Sequence, residues 1–466
     1  MIRAIAHGML LLLLAGAAPG CLAARADASP GAKPPAASRI LLRHVRAFDV
    51  SSGQMSQPLD ILIEGTRISR MGRIGAVRGA RQIDCTGKFA VPGLFDCHTH
   101  LIHLTSLPED SLAVALKSFV ARGVTQVRDV GGPLEGMAGL SRRIANGELT
   151  GPTVFYSGPM LEGSPLTWER FNRDFPGFTV AIDSYATVDS LLPVLARHGA
   201  CMVKTFNHIE PAVFRHLIEV AQRCSLRVVH DPGEPLFNWI PMDMALDLGV
   251  TSIEHAKAPW PVVLLDSLQR EHDRLVGRDA PPPAKMGLMM KIAGLGVQSV
   301  SEPRLEQLLG KMKDKGAYFC PTLLAMTGAE QMAIEETKRK TGLDSLPPPM
   351  LARVRSVTGG MAAASRHFVS EAARQGVPLL VGQDGASPAG TVAEMRLLKE
   401  CGVSEAEIIR GATIYPARWL GVADRLGEIT PGRLASVVVL DRDPLEDIGA
   451  LKSVFLVLQE GRPIKN

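Results

Sequence analysis

The chain has 466 residues, of which 46% are hydrophobic and 21% are charged, a balance that excludes an intrinsically disordered protein. Its formal charge is only +4 and its basic residues are scattered, which excludes the electropositive surface of a nucleic-acid-binding protein. The length exceeds that of one minimal domain and suits a barrel of ordinary size with a smaller companion domain.

The N-terminal segment has the order of a secretory signal. Arg3 supplies a positive charge, an apolar run covers residues 10–14, and small residues continue through Ala24 to Ala28. Because the run is too short to span a membrane, we predict a signal peptide over residues 1–28, no integral membrane span, and export to the periplasm or the medium. Cys21 follows a Pro-Gly pair, which leaves lipid anchoring at this cysteine as an alternative.

Short apolar-rich segments separated by turn residues come next. They cover residues 40–50, 60–64, 68–74 and 82–85, and two similar segments, 436–440 and 453–459, lie near the end of the chain. Segments of this kind are typical of antiparallel strands. We predict that both sets form one small β-sandwich domain, from residues 39–92 and 423–466, with the rest of the chain inserted between its halves.

Between residues 93 and 422 the pattern changes to alternating strands and helices. After a first strand that begins near residue 91, strands are predicted at 124–130, 153–157, 201–206, 226–230, 252–255, 317–321 and 378–382. Helical segments such as 111–122, 211–224 and 360–375 fall between them. Eight such units predict an α/β fold, a TIM (β/α)8 barrel. Two long segments, 256–320 and 326–350, would emerge on its catalytic side.

A His-x-His pair ends the first predicted barrel strand. His98 and His100 are two residues apart, so both imidazoles can lie on one face at the carboxyl end, where barrel enzymes keep their chemistry. Two imidazoles on one face need partners, and a metal ion supplies them. Cys97 stands between them, and strand alternation turns it away from that face.

Further polar residues follow at the ends of later predicted strands. These residues are Lys204, His230, His255 and Asp384, and each follows an apolar run. The intervals from Lys204 to His230 and from His230 to His255 are each about one βα unit. Each alone would more often be a satisfied polar residue than part of a site, but their joint occurrence in this order predicts a common centre.

The motifs of this chain resemble those of the amidohydrolase superfamily, in particular its imidazolonepropionase-like and prolidase-like branch. The resemblance extends over nearly the whole mature chain, from about residue 40. The matching segments are VPGLFDCHTHL with His98 and His100, VRDVGG, KTF with Lys204, VVH with His230, SIEH with His255, VGQD with Asp384, ATIYPARWLG, and GEITPGRLASVVVLDRDPLEDI.

The resemblance implies a site with two divalent metal ions, usually zinc. It implies that His98, His100 and Asp384 hold one ion, that His230 and His255 hold the other, and that Lys204, carboxylated on its amine, bridges them. A hydroxide between the ions would attack the scissile carbonyl, and Asp384 would carry the proton to the leaving nitrogen. Carboxylation explains how a lysine can be a metal ligand, since an ammonium group has no lone pair for a metal whereas a carbamate is an anionic ligand with two oxygens.

Three departures from the family pattern stand in the sequence. Gln383 replaces the usual Thr before Asp384, Val392 replaces a His that commonly precedes the next Glu-Leu, and Ala435-Ser436-Val437 replaces Ala-Asp-Leu. None removes a predicted metal ligand. The change at Val392 affects a position on the substrate side.

Three functions are compatible with these residues. The first is hydrolysis of an amide C–N bond in a small molecule or short peptide, as in a dipeptidase, a carboxypeptidase or an acyl-amino-acid hydrolase. The second is cyclic-amide hydrolysis or deamination, against which Lys204 weighs because a mononuclear deaminase needs no bridging lysine. The third is a non-catalytic exported binding protein. Candidate cations for a substrate carboxylate are Arg128, His208 and Lys257, and homo-oligomers are compatible with the sequence.

Overall fold

The computed structural model describes residues 39–233, 236–276 and 280–464. The predicted signal peptide and Cys21 lie outside these residues, so export and lipid anchoring stay predictions. Among the described helices, none combines the length and the apolar character needed to cross a bilayer.

Six strands form the first part of the described chain, and the first, third, fourth and fifth of them match the four short segments predicted there. These strands are β1 (Arg39–Asp49), β2 (Gln54–Met55), β3 (Leu59–Glu64), β4 (Arg67–Gly72), β5 (Ala80–Asp84) and β6 (Phe89–Pro92).

Strands and helices then alternate, as predicted. In chain order they are β7 (Leu94–Thr99), α1 (Glu109–Ala121), β8 (Val124–Asp129), α2 (Leu134–Ala145), β9 (Thr153–Tyr156), β10 (Met160–Glu162), β11 (Thr179–Ala181), α3 (Tyr185–Arg197), β12 (Met202–Thr205), α4 (Pro211–Arg223), β13 (Arg227–His230), α5 (Met242–Asp247), β14 (Ser252–Glu254), α6 (Asp266–Leu275), α7 (Pro282–Leu295), α8 (Glu302–Asp314), β15 (Tyr318–Cys320), α9 (Ala329–Thr341), α10 (Pro348–Arg374), α11 (Gly390–Glu400), α12 (Glu405–Gly411) and α13 (Ile414–Leu420).

Three strands follow near the C-terminus: β16 (Val437–Leu440), β17 (Val454–Gln459) and β18 (Arg462–Ile464). They join the N-terminal strands in one nine-stranded sheet, because β16 pairs antiparallel with β6 through Val438 and Val91. The predicted union of the two ends of the chain is therefore present. The domain boundaries stay predictions.

The strands of the alternating part are parallel and form two sheets, ordered β7-β8-β9 and β11-β10-β12-β13-β14-β15. Between β15 and β7 lies the segment 378–385, which bridges β15 at Leu379 and β7 at Gly385. At the other edge the amide of Cys201 donates to the carbonyl of Tyr156, 3.1 Å away, next to β12 and β9.

The prediction of a full strand over 378–382 is wrong in detail. This segment makes isolated parallel bridges instead of a continuous ladder, because its amides serve several neighbours. The amide of Val381 donates to the carbonyl of Gly411 at the end of α12, while the carbonyl of Val381 accepts from the amide of Cys97 in β7.

The main core lies between the parallel strands and the helices that cover them. Helix α4 illustrates why: Phe214, Leu217, Ile218 and Ala221 recur at spacings of three and four residues and are buried on its inner face. Burial of each large side chain contributes about 1.5–3 kcal/mol. The helix begins at Pro211, whose ring suits the first helical position.

The two long segments expected over the site are helical. Helices α6 to α8 occupy most of residues 256–320, and α9 with the first turns of α10 occupies 326–350. The helix predicted at 360–375 begins earlier, at Pro348, so α10 is 27 residues long.

Candidate metal centre

His98 and His100 lie at the carboxyl end of β7, as the alternation predicts. Their ring centroids are 5.5 Å apart. The side chain of His98 is fully buried, whereas that of His100 is 14% exposed. The pairing of β7 with β8 shifts register between Asp96 and Thr99, just where these imidazoles leave the sheet.

A hydrogen bond to Nδ1 orients each of the two rings. Nδ1 of His98 lies 2.7 Å from Oε2 of Glu254, and Nδ1 of His100 lies 3.2 Å from the carbonyl oxygen of Gly131. A carboxylate and a carbonyl only accept, so both Nδ1 atoms carry the proton and donate it. When a ring is neutral, its lone pair then resides on Nε2, the usual arrangement of histidines that bind metal. Burial alone would lower the pKa of His100, but the carboxylate of Asp384 raises it above its ordinary value.

Both Nε2 atoms face the carboxylate of Asp384. Oδ1 of Asp384 lies 3.5 Å from Nε2 of His98 and 3.2 Å from Nε2 of His100. One ligand atom from each of the three residues lies within 4.8 Å of the others. Asp384 has a φ of +57°, and its amide donates to the carbonyl of His98, which turns the side chain toward the histidines.

The electrostatics of this triad suit a cation. Burial, together with the charge of Lys204, lowers the pKa of His98 to about 3, so this ring is neutral. Burial alone would raise the pKa of Asp384, but the neighbouring His98, His100 and His255 hold it well below its ordinary value. Nε2 of His98 is buried and lacks a hydrogen-bond partner among the described residues. A metal ion would satisfy that atom.

The glycine after Val130 permits the close approach of His100. A Cβ at Gly131 would lie 3.1 Å from Cε1 of His100 and 3.0 Å from Cγ of Met160. Since the carbonyl of Gly131 also accepts from His100, the VRDVGG motif both makes room for the imidazole and orients it.

Arg128 serves Glu254 instead of a substrate carboxylate. The guanidinium is fully buried, and its Nη2 lies 2.8 and 2.9 Å from the two carboxylate oxygens of Glu254. Burial would raise the pKa of Glu254, but Arg128 and His98 hold it well below its ordinary value. Arg128 therefore keeps the partner of His98 ionised, and its suggested role in binding a substrate carboxylate is wrong.

A second group of charged side chains lies beside the triad. Nε2 of His255 is 2.9 Å from Oδ2 of Asp231, and Nζ of the buried Lys204 is 3.5 Å from the same oxygen. Nδ1 of His255 faces Oδ2 of Asp384 at 3.8 Å, and the rings of His98 and His255 are 4.8 Å apart. Asp231 is a site residue that the sequence analysis missed.

Both ring nitrogens of His230 have protein partners in this structure, and its pairing with His255 at a second ion stays a prediction. Nε2 of His230 lies 2.8 Å from the carbonyl oxygen of Ile240, and Nδ1 lies 2.9 Å from Oγ1 of Thr205. A carbonyl only accepts, so Nε2 of His230 is the donor and Nδ1 accepts from the Thr205 hydroxyl. Both nitrogens are thereby used. The ring packs edge-on against Phe214 of α4, away from Asp384.

A second cluster with ligand-type atoms comprises His98, Glu254 and Cys320. It is not a credible metal site, because Nδ1 of His98 already donates to Glu254 and Glu254 is paired with Arg128. Burial raises the pKa of the Cys320 thiol well above its ordinary value, so the sulfur keeps its proton. Cys97 is buried with its sulfur near the carbonyl of Gly411, in agreement with its predicted orientation.

The departures from the family pattern have structural partners. Nε2 of Gln383 donates to Oδ2 of Asp96, 2.6 Å away, which ties the segment before Asp384 to β7. Val392 is buried in the apolar core. Its neighbour Glu394 accepts hydrogen bonds from the amides of Leu323 and Leu324.

Aromatic side chains flank the outer side of His100. The ring of Phe178 lies 6.3 Å from that of His100 and 5.2 Å from that of Phe171, which in turn lies 5.5 Å from Trp168. Buried Glu162 holds the segment by accepting from the amide of Thr167. The spacing of Trp168, Phe171, Phe175 and Phe178 along the chain is a signal that could have indicated this cluster.

Comparison with known proteins finds similarity to one family in part of the chain. Residues 312–465 match the amidohydrolase family model. An imidazolonepropionase of Vibrio vulnificus (strain YJ016) is 40% identical over 68 residues, which are 14% of this chain and 17% of that protein. An adenine deaminase of Cereibacter sphaeroides (strain KD131 / KCTC 12085) is 42% identical over 62 residues, 13% of this chain and 10% of that protein. The chain thus spans less than a fifth of the length of these relatives.

Most of the chain is also similar to solved structures. One is a Xaa-Pro dipeptidase with bound methionine in the active site, which matches with a TM-score of 0.65 and 20% identity over 92% of this chain and 100% of that one. At this identity the likeness shows a shared fold. Together these similarities confirm the resemblance that the sequence motifs predict.

Proposed function

Since residues 312–465 match the amidohydrolase family model, we propose that this chain is a metal-dependent hydrolase of C–N bonds. We further propose that it cleaves the amide bond of a short peptide or an N-acyl amino acid, as a dipeptidase or carboxypeptidase does. The observation that carries the proposal is the convergence of His98, His100 and Asp384 around Nε2 of His98, a buried atom without a hydrogen-bond partner in the described part of the chain.

The donor spacing in this triad supports a bound ion, with zinc as the proposed metal. Two nitrogen or oxygen ligands at about 2.1 Å from a tetrahedral zinc lie roughly 3.4 Å from each other. The distances from Oδ1 of Asp384 to the two Nε2 atoms are 3.5 and 3.2 Å. Two neutral imidazoles and one carboxylate are also the donor types that zinc takes in catalytic sites.

A bound ion would supply a Lewis acid for the carbonyl and a water activated at neutral pH. The residues of this chain do the rest. Asp384 is ionised and partly exposed, so a carboxylate oxygen can accept the proton of the attacking water as the O–C bond forms. It then passes that proton to the nitrogen as the C–N bond breaks. Glu254 and Gly131 hold the two imidazoles in place throughout.

A second ion and N6-carboxylation of Lys204 are parts of the proposal. Lys204 is 1% exposed, and an ammonium at that depth depends on the carboxylate of Asp231, 3.5 Å away, for its counter-charge. Its amine lies beside Asp231, close to His255, where a carbamate could bridge two cations.

Closure of the parallel strands into one (β/α)8 barrel is also proposed. Contacts at both edges of the β7-β8-β9 sheet support it, because they connect this sheet to the other parallel sheet. They are the isolated bridges at Leu379 and Gly385 and the hydrogen bond between Cys201 and Tyr156. Eight strand positions result when β9 and β10 share one. The site would then lie at the carboxyl ends of the strands.

The surroundings of the triad favour a substrate with an apolar or aromatic group. Phe171 and Phe178 offer ring surface near His100, and Nε1 of Trp168 is a buried donor without a partner in the described residues. His208 and Lys257 remain candidates for binding a substrate carboxylate. Lys257 acts on the metal site through its charge: burial alone would raise the pKa of Asp231, but His255, Lys204 and, to a smaller extent, Lys257 lower it.

A screen of the zinc-loaded protein tests the proposal. Dipeptides and N-acyl amino acids are compared with cyclic amides and adenine, and turnover is followed before and after chelation. We expect turnover of linear amides that is lost with the metal and restored by zinc. Turnover of cyclic amides or adenine alone would favour the second function, and full turnover by metal-free protein would refute metal-dependent hydrolysis.

Replacement of His98 by asparagine provides the matched test. We expect a loss of bound metal and a fall in turnover of at least about 100-fold. His216→Asn is the control, since His216 lies on α4 and pairs with Asp189 on the surface.

Export through residues 1–28 belongs to the same proposal, with periplasmic or secreted protein as the product. Mass spectrometry of the mature chain tests it: a start between residues 24 and 29 supports cleavage, and a lipid mass on Cys21 supports the anchored alternative.

A further inference from the structure

The carboxylate of Asp231 lies beside His255 and Lys204, where the imidazole of His230 was expected. We propose that Asp231 and His255 hold the second divalent cation of this site, in place of the pair His230 and His255. The inference rests on the proposed function, because it concerns the second ion of the same centre. It departs from the family pattern, in which a histidine of this strand is the ligand.

The register of the sheet decides which of the two adjacent residues faces the site. In the parallel pairing of β12 with β13, Lys204 is opposite Val229 and Thr205 is opposite His230. Side chains opposite each other in register share a face of the sheet. Asp231 comes two residues after Val229 and therefore lies on the face of Lys204, whereas His230 lies on the opposite face with Thr205.

Local hydrogen bonds set the carboxylate of Asp231 in one orientation. Oδ1 of Asp231 accepts from the amide of Gly233, 2.7 Å away, and the backbone carbonyl of Asp231 accepts from Nδ2 of Asn238. Oδ2 is thereby turned toward Nε2 of His255 at 2.9 Å and Nζ of Lys204 at 3.5 Å. One oxygen fixes the rotamer, and the other is presented to the site.

His230 has a different task, which is to hold the loop that carries Asp231. Its Nε2 donates to the carbonyl of Ile240, and the amide of Ile240 donates to Oδ1 of Asn238. Asn238 in turn binds the carbonyl of Asp231. The histidine therefore closes a chain of hydrogen bonds that ends at the proposed ligand.

Charge balance connects the second ion to the state of Lys204. As an ammonium, Lys204 neutralises Asp231 directly. As a carbamate it would place a second anion beside Asp231 in a buried setting, which is strongly unfavourable unless a cation lies between them. Carboxylation of Lys204 and occupancy by the second ion should therefore occur together.

Metal content of the purified protein tests this inference. Wild type, Asp231→Asn, Asp231→Glu and His230→Gln are loaded with zinc in bicarbonate buffer, desalted and measured by plasma mass spectrometry. We expect about two ions per chain in wild type, about one in Asp231→Asn, and recovery toward two in Asp231→Glu. His230→Gln should also hold about two, because the glutamine amide can still donate to the carbonyl of Ile240 and so keep the loop in place. Circular dichroism verifies that each variant is folded.

A measurement on unaltered protein guards against variants that fail to fold. Manganese-loaded wild type should give the exchange-coupled electron paramagnetic resonance signal of two close ions, and omission of bicarbonate should weaken it. One ion per chain in wild type, or loss of the second ion in His230→Gln but not in Asp231→Asn, would overturn the inference. Those results leave hydrolysis with one ion intact, whereas turnover without any metal would refute the proposed function itself.

Discussion

Replacement of Glu254 by glutamine separates the orientation of a metal ligand from the stability of the fold. Oε2 of Glu254 lies 2.7 Å from Nδ1 of His98, and both carboxylate oxygens lie within 2.9 Å of Nη2 of Arg128. Glutamine keeps the size of the side chain but removes its charge. His98 then loses an ionic partner, and Arg128 is left buried without a counterion.

Two magnitudes follow from these contacts. Loss of the outer partner of a ligating histidine typically weakens metal binding about 10- to 100-fold, or roughly 1.4–2.7 kcal/mol. Leaving one member of a buried ion pair uncompensated costs about 3–5 kcal/mol of folding free energy. The loss of folding free energy should be much reduced in the double variant Arg128→Met/Glu254→Gln, which buries no unpaired charge. The loss of metal affinity should remain.

Zinc affinity is measured by competition with a chromophoric chelator, and stability by urea unfolding of the metal-free protein. Asp60→Asn is the control: Asp60 is a nearly buried carboxylate paired with Arg43 in the nine-stranded sheet, so its loss should leave zinc affinity unchanged. An affinity of Glu254→Gln within about twofold of wild type would refute the orienting role of Glu254.

Three further predictions concern single residues. Asp384→Asn should lower turnover by about 100-fold or more at saturating zinc, because the amide cannot accept the proton, and an unchanged kcat would contradict this. Gly233→Ala should destabilise the protein by about 1–3 kcal/mol in thermal and urea unfolding, because its φ is +63° and a Cβ would lie 2.0 Å from Oδ1 of Asn207. Gly249→Ala, with a φ of +90° and open space around the Cβ, is the control for backbone strain alone and should cost less. Burial raises the pKa of Glu394 to about 8, so the folded protein holds a proton that the unfolded chain has released, and stability should fall as pH rises from about 5 to 8. Glu394→Gln should flatten this part of the curve of melting temperature against pH, and parallel curves would contradict the assignment.

The local pattern of the sequence predicts most elements of this fold. Strand β8, for example, was expected at 124–130 and is found at Val124–Asp129, and helix α4 was expected at 211–224 and is found at Pro211–Arg223. These features depend on apolar periodicity and on proline and glycine at the ends, which are properties of neighbouring residues. Strands β10 and β11 were missed because each has only three residues and lacks such a pattern.

The same distinction holds within the site. His98, His100 and Asp384 come together as predicted, because each ends a strand or a strand-like segment and parallel strands bring their carboxyl ends to one edge. Glu254 entered the sequence analysis only as part of the SIEH motif. Its contacts with His98 and Arg128 join distant parts of the chain, so local spacing does not predict them.

The sequence by itself determined the order of the elements, the join between the two ends of the chain, and the His-x-His pair that opens the centre. Only the tertiary structure shows that Asp231, and not the adjacent His230, lies on the face of Lys204. The physical reason is register: strand alternation puts the two on opposite faces, and pairing with β12 selects the face that Lys204 shares. That face belongs to Asp231.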